Sequence, residues 1–238
     1  ALVKMLTLAF DTSTSFGSVV LFENHKILFE KSWLREKSHS EMLTDAIDVG
    51  LKSCSQKPQD IKRLCVGIGP GSFTGIRVSV NVARSLAFAL GLEVLCLDSF
   101  DLLALGVNPS KTNEKFLLGM IDAFNNELFI ARFEKINEAW KRLTKSHSKT
   151  LSNLGLEVKE SHLCIGEAYD HYEAFFSPEF RKLLVRDSNF SQYPHVKNLA
   201  QKSDALETLA QPLAWNQVQA LYIKASAAEE KLNEIKTR

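Results

Sequence analysis

Twice in this chain an apolar run ends on an aspartate, turns within a few residues, and continues as a second apolar run. Met5 to Phe10 stops at Asp11, the hydroxyl-rich turn Thr12 to Ser15 follows, and Ser18 to Glu23 resumes. Phe116 to Ile121 stops at Asp122, and Leu128 to Phe133 resumes after a small turn. Short apolar runs bounded by turn residues read as buried strands. A repeated strand, aspartate, turn and strand predicts two halves of one α/β type. The segment Asn108-Pro109-Ser110-Lys111-Thr112-Asn113 is polar and carries a helix-stopping proline. It divides the chain into an N-terminal half, 1–108, and a smaller C-terminal half, 109–238.

The rest of each half follows from pattern. Lys26 to Trp33 completes a hairpin with Ser18 to Glu23 around Asn24-His25. Ser38, with Glu41 three residues on, reads as a capping box opening a helix that carries Leu43, Ile47, Gly50, Leu51 and Cys54 on one face. A strand at Leu64–Ile68, a helix over about Thr74–Leu90, a strand at Glu93–Leu97 and a short helix from Ser99 finish the first half. In the second half, strands are expected at Leu163–Gly166 and Leu183–Val185, with helices near Glu167–Phe176 and Val196–Leu209. Residues 135–160 are polar and give no assignable pattern, and 225–238 reads as a charged helix. Alternating strands and helices predict mixed sheets covered by helices.

Between the strand at Leu64–Ile68 and the following helix stand Gly69, Pro70, Gly71, Ser72, Phe73, Thr74 and Gly75, then Ile76 and Arg77. A strand that turns through glycines into a helix leaves N–H groups unpaired at the helix start, where the dipole favours an anion. Ser72 or Thr74 can cap that start. No lysine follows the last glycine, so this is not a Walker loop. As chemistry it is a capping turn with some capacity for an anion.

Composition excludes several classes. Formal net charge is +1, which provides no global pull toward nucleic acid or a membrane surface. The four cysteines, Cys54, Cys65, Cys96 and Cys164, lack metal or redox spacing, so reduced thiols and a cytoplasmic setting are expected. No apolar run is long enough to span a bilayer, and Ala1 to Phe10 lacks a signal-peptide layout.

The helix after the glycine motif is apolar on most sides. Gly75, Ser79, Ala83 and Ala87 recur every four residues, while Val78, Val82, Leu86 and Leu90 form a neighbouring stripe. Such a helix must be buried on most sides. One stripe covers its own sheet; the other meets the helix from Ser38, a second chain, or both. Small residues at this spacing let another helix approach closely.

Ala9-Phe10-Asp11-Thr12-Ser13-Thr14, Ser38-His39-Ser40-Glu41, Gly69 through Arg77, and Ala83-Arg84-Ser85-Leu86-Ala87 occur in this order and spacing. Together they resemble the TsaB family of bacterial tRNA threonylcarbamoyladenosine biosynthesis, related to the glycoprotease-like TsaD family. The resemblance is strong over roughly the first hundred residues. It is weaker at Ile121-Asp122-Ala123 with Glu127 and at Leu221-Tyr222-Ile223-Lys224. It implies the actin-like, sugar-kinase (ASKHA) α/β fold in two duplicated halves. It also implies a noncatalytic scaffold and activator that pairs with a TsaD-like catalytic subunit, is joined by a TsaE-like ATPase, and meets tRNA only indirectly. Alone, such a chain is expected to form a homodimer. The resemblance places partner contact on two helices, with His39, Leu43, Ile47, Arg77, Ser79, Ala83 and Ala87 as the candidate residues. No cofactor is firmly implied, although ATP or ADP could sit at the complex interface.

The resemblance also marks departures. Catalytic relatives carry a His-x-x-x-His metal pair where this chain has Ser99 and Leu103, and a leucine cannot ligate a metal. The six histidines, at 25, 39, 147, 162, 171 and 195, supply no substitute pair on one face unless it is His25 with His39, which nothing physical brings together. Phe124 stands where relatives commonly have arginine, and Glu167 where a second small residue is common.

Bland readings stand beside these. Asp11, Thr12, Ser13 and Thr14 fit a phosphate loop, or a strand end whose side chains satisfy the next turn. His39 fits a partner contact or a packed cap, and Arg77 an interfacial anion contact or a solvated charge. Two rival functions remain open: a nucleotide-dependent phosphotransferase of the sugar-kinase type, using Asp11 and Asp122, and a protease, for which no triad is discernible. Lys141, Arg142, Lys145 and Lys149 form a local basic cluster that could touch RNA.

Overall fold

A computed structural model of the chain describes residues 5–34 and 38–224. Strands β1 (Leu6–Asp11), β2 (Phe16–Glu23) and β3 (Lys26–Leu34) form an antiparallel meander. Helix α1 (His39–Ser53) leads to β4 (Ile61–Gly67), which lies parallel to β1. Helix α2 (Phe73–Leu90) returns to β5 (Val94–Leu97), parallel to β4, and α3 (Ser99–Leu105) closes the half.

The second half contains β6 (Phe116–Asp122), β7 (Glu127–Ile136), β8 (Ala139–Arg142), β9 (His147–Thr150), β10 (His162–Ile165), helix α4 (Ala168–Tyr172) and β11 (Leu184–Arg186). β12 (Pro212–Leu213) adds to the first sheet beside β5. The first sheet runs β3-β2-β1-β4-β5-β12 and the second β8-β7-β6-β10-β11, with β9 also on β7. Over β3-β2-β1-β4-β5 and β8-β7-β6-β10-β11 the directions agree, antiparallel pairs on one side of the central strand and parallel neighbours on the other, while β12 lies antiparallel beyond β5. This is the duplicated, actin-like architecture, with Asp11 and Asp122 at equivalent strand ends.

Why β1 is mostly apolar before Asp11 follows from its cover. α1 and α2 pack one face of the first sheet through Leu43, Ala46, Ile47, Ile76, Val80 and Ala83. The opposite face lies under Val196, Leu199, Ala200 and Leu206. A strand buried on both faces reads as a continuous apolar run.

From Val196 the chain crosses back to cover the first sheet. Several expectations need correction. Val196–Leu209 is not one helix: it is a 3₁₀ segment, Val196–Ala205, kinked at Lys202, followed by a single helical turn. The span expected as Glu167–Phe176 holds only the five-residue α4 and a 3₁₀ turn. Residues 135–160 contain β8, β9 and the 3₁₀ turn Leu151–Leu156. The capping box at Ser38 does not form; its hydroxyl bonds Ser40 Oγ at 2.7 Å instead. The charged helix expected at 225–238 lies outside the described residues.

Candidate functional site

The glycine motif is built to receive the turn after β1. Ser72 caps α2, its Oγ accepting the Gly75 N–H at 3.4 Å, while Ser72 N–H donates to Ser13 O at 2.6 Å. A methyl on Gly71 would lie 2.0 Å from Ser13 O, and one on Gly75 would lie 1.9 Å from Thr12 O. Thr12 Oγ1 in turn donates to Gly75 O at 2.7 Å. The glycines therefore admit a second backbone at contact distance, which any side chain would block. The expected anion capacity of this motif is occupied by the protein itself.

The same packing decides the first aspartate loop. Asp11 is fully buried, and its Oδ1 accepts both Ser13 N–H at 3.1 Å and Ser13 Oγ–H at 2.9 Å. Ser13 has then spent its proton, so the 2.8 Å contact with Ser99 Oγ is donated by Ser99. Ser99 N–H donates to Gly69 O at 2.8 Å. Thr14 Oγ1 accepts Phe16 N–H at 3.2 Å. The hydroxyls of Ser13 and Thr14 thus satisfy their own turn, and that of Thr12 is spent on the glycine motif.

Two carboxyl oxygens near the junction of the halves have no hydrogen-bond partner among the described residues: Asp11 Oδ2 and Glu167 Oε2. Burial pushes the Asp11 carboxyl up to about 6, against the lowering effect of Ser13. Burial likewise pushes Glu167 up to about 7; backbone N–H groups of Glu167 and Asp122 oppose that rise, and the charges of Asp122 and Asp11 add to it. Asp122 Oδ1 is held by Phe124 N–H at 2.7 Å and Tyr172 Oη–H at 3.0 Å. Three carboxyls from both halves therefore meet at this junction. Glu167 was legible only as an odd residue after Gly166; no local pattern announces a buried acid.

α3 seals the junction from the other side. Leu103 is buried in the second half's core cluster, and Ser99 is committed to Ser13. Arg142 clamps the start of α3, donating to Asp101 at 2.7 Å and pairing with Asp98 at 3.2 Å. Lys149 pairs with Glu157 at 2.6 Å. The basic cluster at 141–149 is thus partly neutralised within the chain. Among the described residues, no group of three or more His, Cys, Asp or Glu side chains could hold a metal ion. His25 bonds Asp204 and Ala200 O, while His39 bonds Trp33 and Thr14 O. The two histidines serve separate places.

The partner face named from sequence is turned inward. His39, Leu43, Ile47, Ser79, Ala83 and Ala87 are all buried within the chain. His39 accepts Trp33 Nε1–H on Nδ1 at 3.1 Å and donates from Nε2 to Thr14 O at 3.0 Å, a neutral packed ring. Ser79 Oγ donates to Gly67 O at 3.0 Å. Small side chains bring α2 down onto β4 and its neighbours rather than onto a foreign helix. Of the seven candidates, only Arg77 is exposed.

Arg77 belongs to a feature that periodicity cannot reveal. Its guanidinium lies 3.9 Å over the Phe73 ring, and its Nε donates to Tyr222 Oη at 3.1 Å. Phe73 and Tyr222 stack at 4.7 Å. Two turns along α2, Arg84 lies 5.9 Å over Trp215, which meets Phe88 edge-on at 5.1 Å. The segment carrying Trp215 and Tyr222 continues to Leu221 N–H on Ile68 O at 2.8 Å and to Lys224 on Glu127 at 2.9 Å. It straps the glycine motif to the second half. Only the resemblance at Leu221–Lys224 pointed to it.

The family described as "TsaD: tRNA N6-adenosine threonylcarbamoyltransferase" matches residues 34–237. The chain is similar to the tRNA threonylcarbamoyladenosine biosynthesis protein TsaB of Bacillus subtilis, 33% identical over 42% of this chain and 44% of that protein. It is also similar to the TsaB of Buchnera aphidicola subsp. Schizaphis graminum, 29% identical over 82% of this chain and 90% of that one. The chain spans about half the length of the first curated relatives it matches, 44% for Bacillus subtilis and 54% for Haemophilus influenzae. Among solved structures, YeaZ from Pseudomonas aeruginosa superposes with a TM-score of 0.75 at 20% identity, covering 92% of this chain and 99% of that chain. That likeness concerns the fold.

Proposed function

Because this chain belongs to the TsaD-related TsaB/YeaZ family of tRNA threonylcarbamoyladenosine biosynthesis, we propose that it is a noncatalytic scaffold and activator of that modification. In this reading it pairs with a TsaD-type catalytic subunit, which transfers the threonylcarbamoyl group to the adenosine beside the anticodon. A TsaE-type ATPase joins them, any ATP or ADP sits between subunits, and the assembly works in the cytoplasm. The chain holds the catalytic subunit in a competent state, a shift of population rather than a chemical step. Docking uses the outer surface of α1 and α2, and alone the same surface pairs two copies.

The observation that carries this reading is the fate of Ser99 and Leu103. They stand where the resemblance places the histidine pair of catalytic relatives, and both are consumed in packing. The rival phosphotransferase loses support from the same geometry, since the hydroxyls of Thr12 and Ser13 are spent inside the chain. Two measurements test the proposal. Threonylcarbamoyl transfer to tRNA by a TsaD-type subunit and a TsaE-type ATPase should be weak without this chain and restored by it. Calorimetry of the chain alone with magnesium and ATP should show no tight binding. Transfer by this chain unaided, or tight nucleotide binding, would overturn it.

A further inference from the structure

Two acceptors face the ring of His25, one at each nitrogen. The residue sits at the tip of the β2–β3 hairpin, where Asn24 takes a left-handed φ of 52° and turns the chain. Its Nδ1 lies 3.0 Å from Ala200 O and its Nε2 lies 2.8 Å from Asp204 Oδ2. A neutral imidazole carries one N–H and can satisfy only one of these oxygens; the other would meet a lone pair. The arrangement therefore holds two ring protons, and His25 is an imidazolium.

The two oxygens lie on either side of a break. At Lys202 the 3₁₀ segment Val196–Ala205 leaves helical geometry, with φ −111° and ψ 18°. Runs of 3₁₀ helix longer than about four residues are uncommon, because their hydrogen bonds are poorly aligned. Ten residues in this form are weak by themselves and weakest at the kink. His25 bridges that kink from outside the segment. Two other ties hold the segment: Ser18 Oγ accepts Val196 N–H at 3.3 Å, and Arg63 donates to Ser203 O at 3.2 Å. Neither tie involves a group that titrates near neutral pH. Beneath the segment Val196, Leu199, Ala200 and Leu206 are buried against Ala9, Val20, Phe22 and Cys65 of the first sheet.

We propose that His25 is a proton-operated staple over the underside of the first sheet: the imidazolium closes the 3₁₀ segment across its kink, and loss of one proton releases one side of it. The charges around the ring agree. Asp204 pairs with it, whereas Lys197 and Lys202 on the same segment, and Glu23 and Lys26 on the hairpin, make no hydrogen bond or ion pair with it. Arg63 is engaged with Ser203 O and Glu207. The hydrogen bond to Asp204, then that to Ala200 O, then the Asp204 charge raise the ring above the usual histidine value, and desolvation opposes them. The staple is therefore complete below the ordinary value of 6.5 and is lost as pH rises through the raised one. The side chains are 54% and 72% exposed, so the effect is that of a surface pair, about threefold in the opening equilibrium.

The test is hydrogen–deuterium exchange of the full chain at about pH 6 and about pH 8.5, read by mass spectrometry and corrected for the intrinsic chemical rate. Peptides covering 196–209 should show an opening equilibrium about threefold larger at the higher pH. In His25→Gln, whose side chain does not ionise, the same peptides should open equally at both, at the wild-type level of the higher pH. Peptides from β6 should not differ between the two proteins, which separates local release from a general loss of stability such as ionisation of Glu167 would cause. Ring-proton NMR should place the His25 titration midpoint lower in Asp204→Asn than in the wild type. Exchange of 196–209 that is indifferent to pH in the wild type, or that changes as much in His25→Gln, would overturn the proposal. So would a midpoint that Asp204→Asn leaves unmoved.

Discussion

Replacing Glu167 with glutamine isolates one ionisation at the junction of the halves. In the folded chain burial holds this carboxyl at about 7, against an ordinary value of 4.5. That rise corresponds to about 3 kcal/mol. The sign follows from linkage. Below about pH 4.5 both folded and unfolded chains hold the proton, and no stability is lost. Between about pH 4.5 and 7 the unfolded chain releases it while the folded chain keeps it, so stability falls as pH rises. Above 7 the loss is complete. Glutamine never ionises, yet its amide oxygen can still accept the N–H groups of Glu167 and Asp122. Its own NH₂ inherits the unpartnered position, a cost of about 1 kcal/mol. Urea unfolding at pH 5 and at pH 8 should therefore cross over: the variant equal to or slightly below wild type at pH 5, and about 2 kcal/mol above it at pH 8. Parallel pH profiles for the two proteins would refute the reasoning, since they would mean that this carboxyl ionises as easily folded as unfolded.

Ala83→Arg should unfold or grossly destabilise the chain, by about 4 kcal/mol or more, because Ala83 is sealed in the first core; a thermal melt at the wild-type midpoint would show that the small-residue stripe faces outward after all. Gly75→Ala should cost about 2–3 kcal/mol in denaturant unfolding, since its methyl would meet the Thr12 carbonyl rather than a side chain that can move. Tyr222→Phe should cost less than about 1 kcal/mol and Tyr222→Ala distinctly more, because only the second removes the ring stacked on Phe73. Equal losses for the two Tyr222 variants would show that the hydroxyl, not the stack, anchors the strap.

How much was legible depended on burial. β1 and β6 announce themselves because strands covered on both faces read as unbroken apolar runs, so the duplication could be seen before any coordinates. β8 and β9 could not, for they are short edge strands with half-exposed, mostly polar side chains. α2 was certain as a helix and ambiguous as a surface. Apolar on most sides, it gives no vector, and the smallest residues proved to be the ones pressed against the sheet. The glycine motif was recognisable, yet its role was misjudged because a second backbone can fill the space that an anion would need. Long-range pairs such as Arg77 with Tyr222 leave no local trace at all.

The return of the chain over β1 has a consequence for synthesis on the ribosome. The floor of the first sheet, with Ala9, Val20 and Cys65, waits for Val196, Leu199 and Leu206 to be translated. Until then the strands from β1 onward emerge with one greasy side uncovered, a window in which nascent chains are prone to stick. Translation past Leu206, not completion of the opening lobe, is the moment the first sheet gains its second cover.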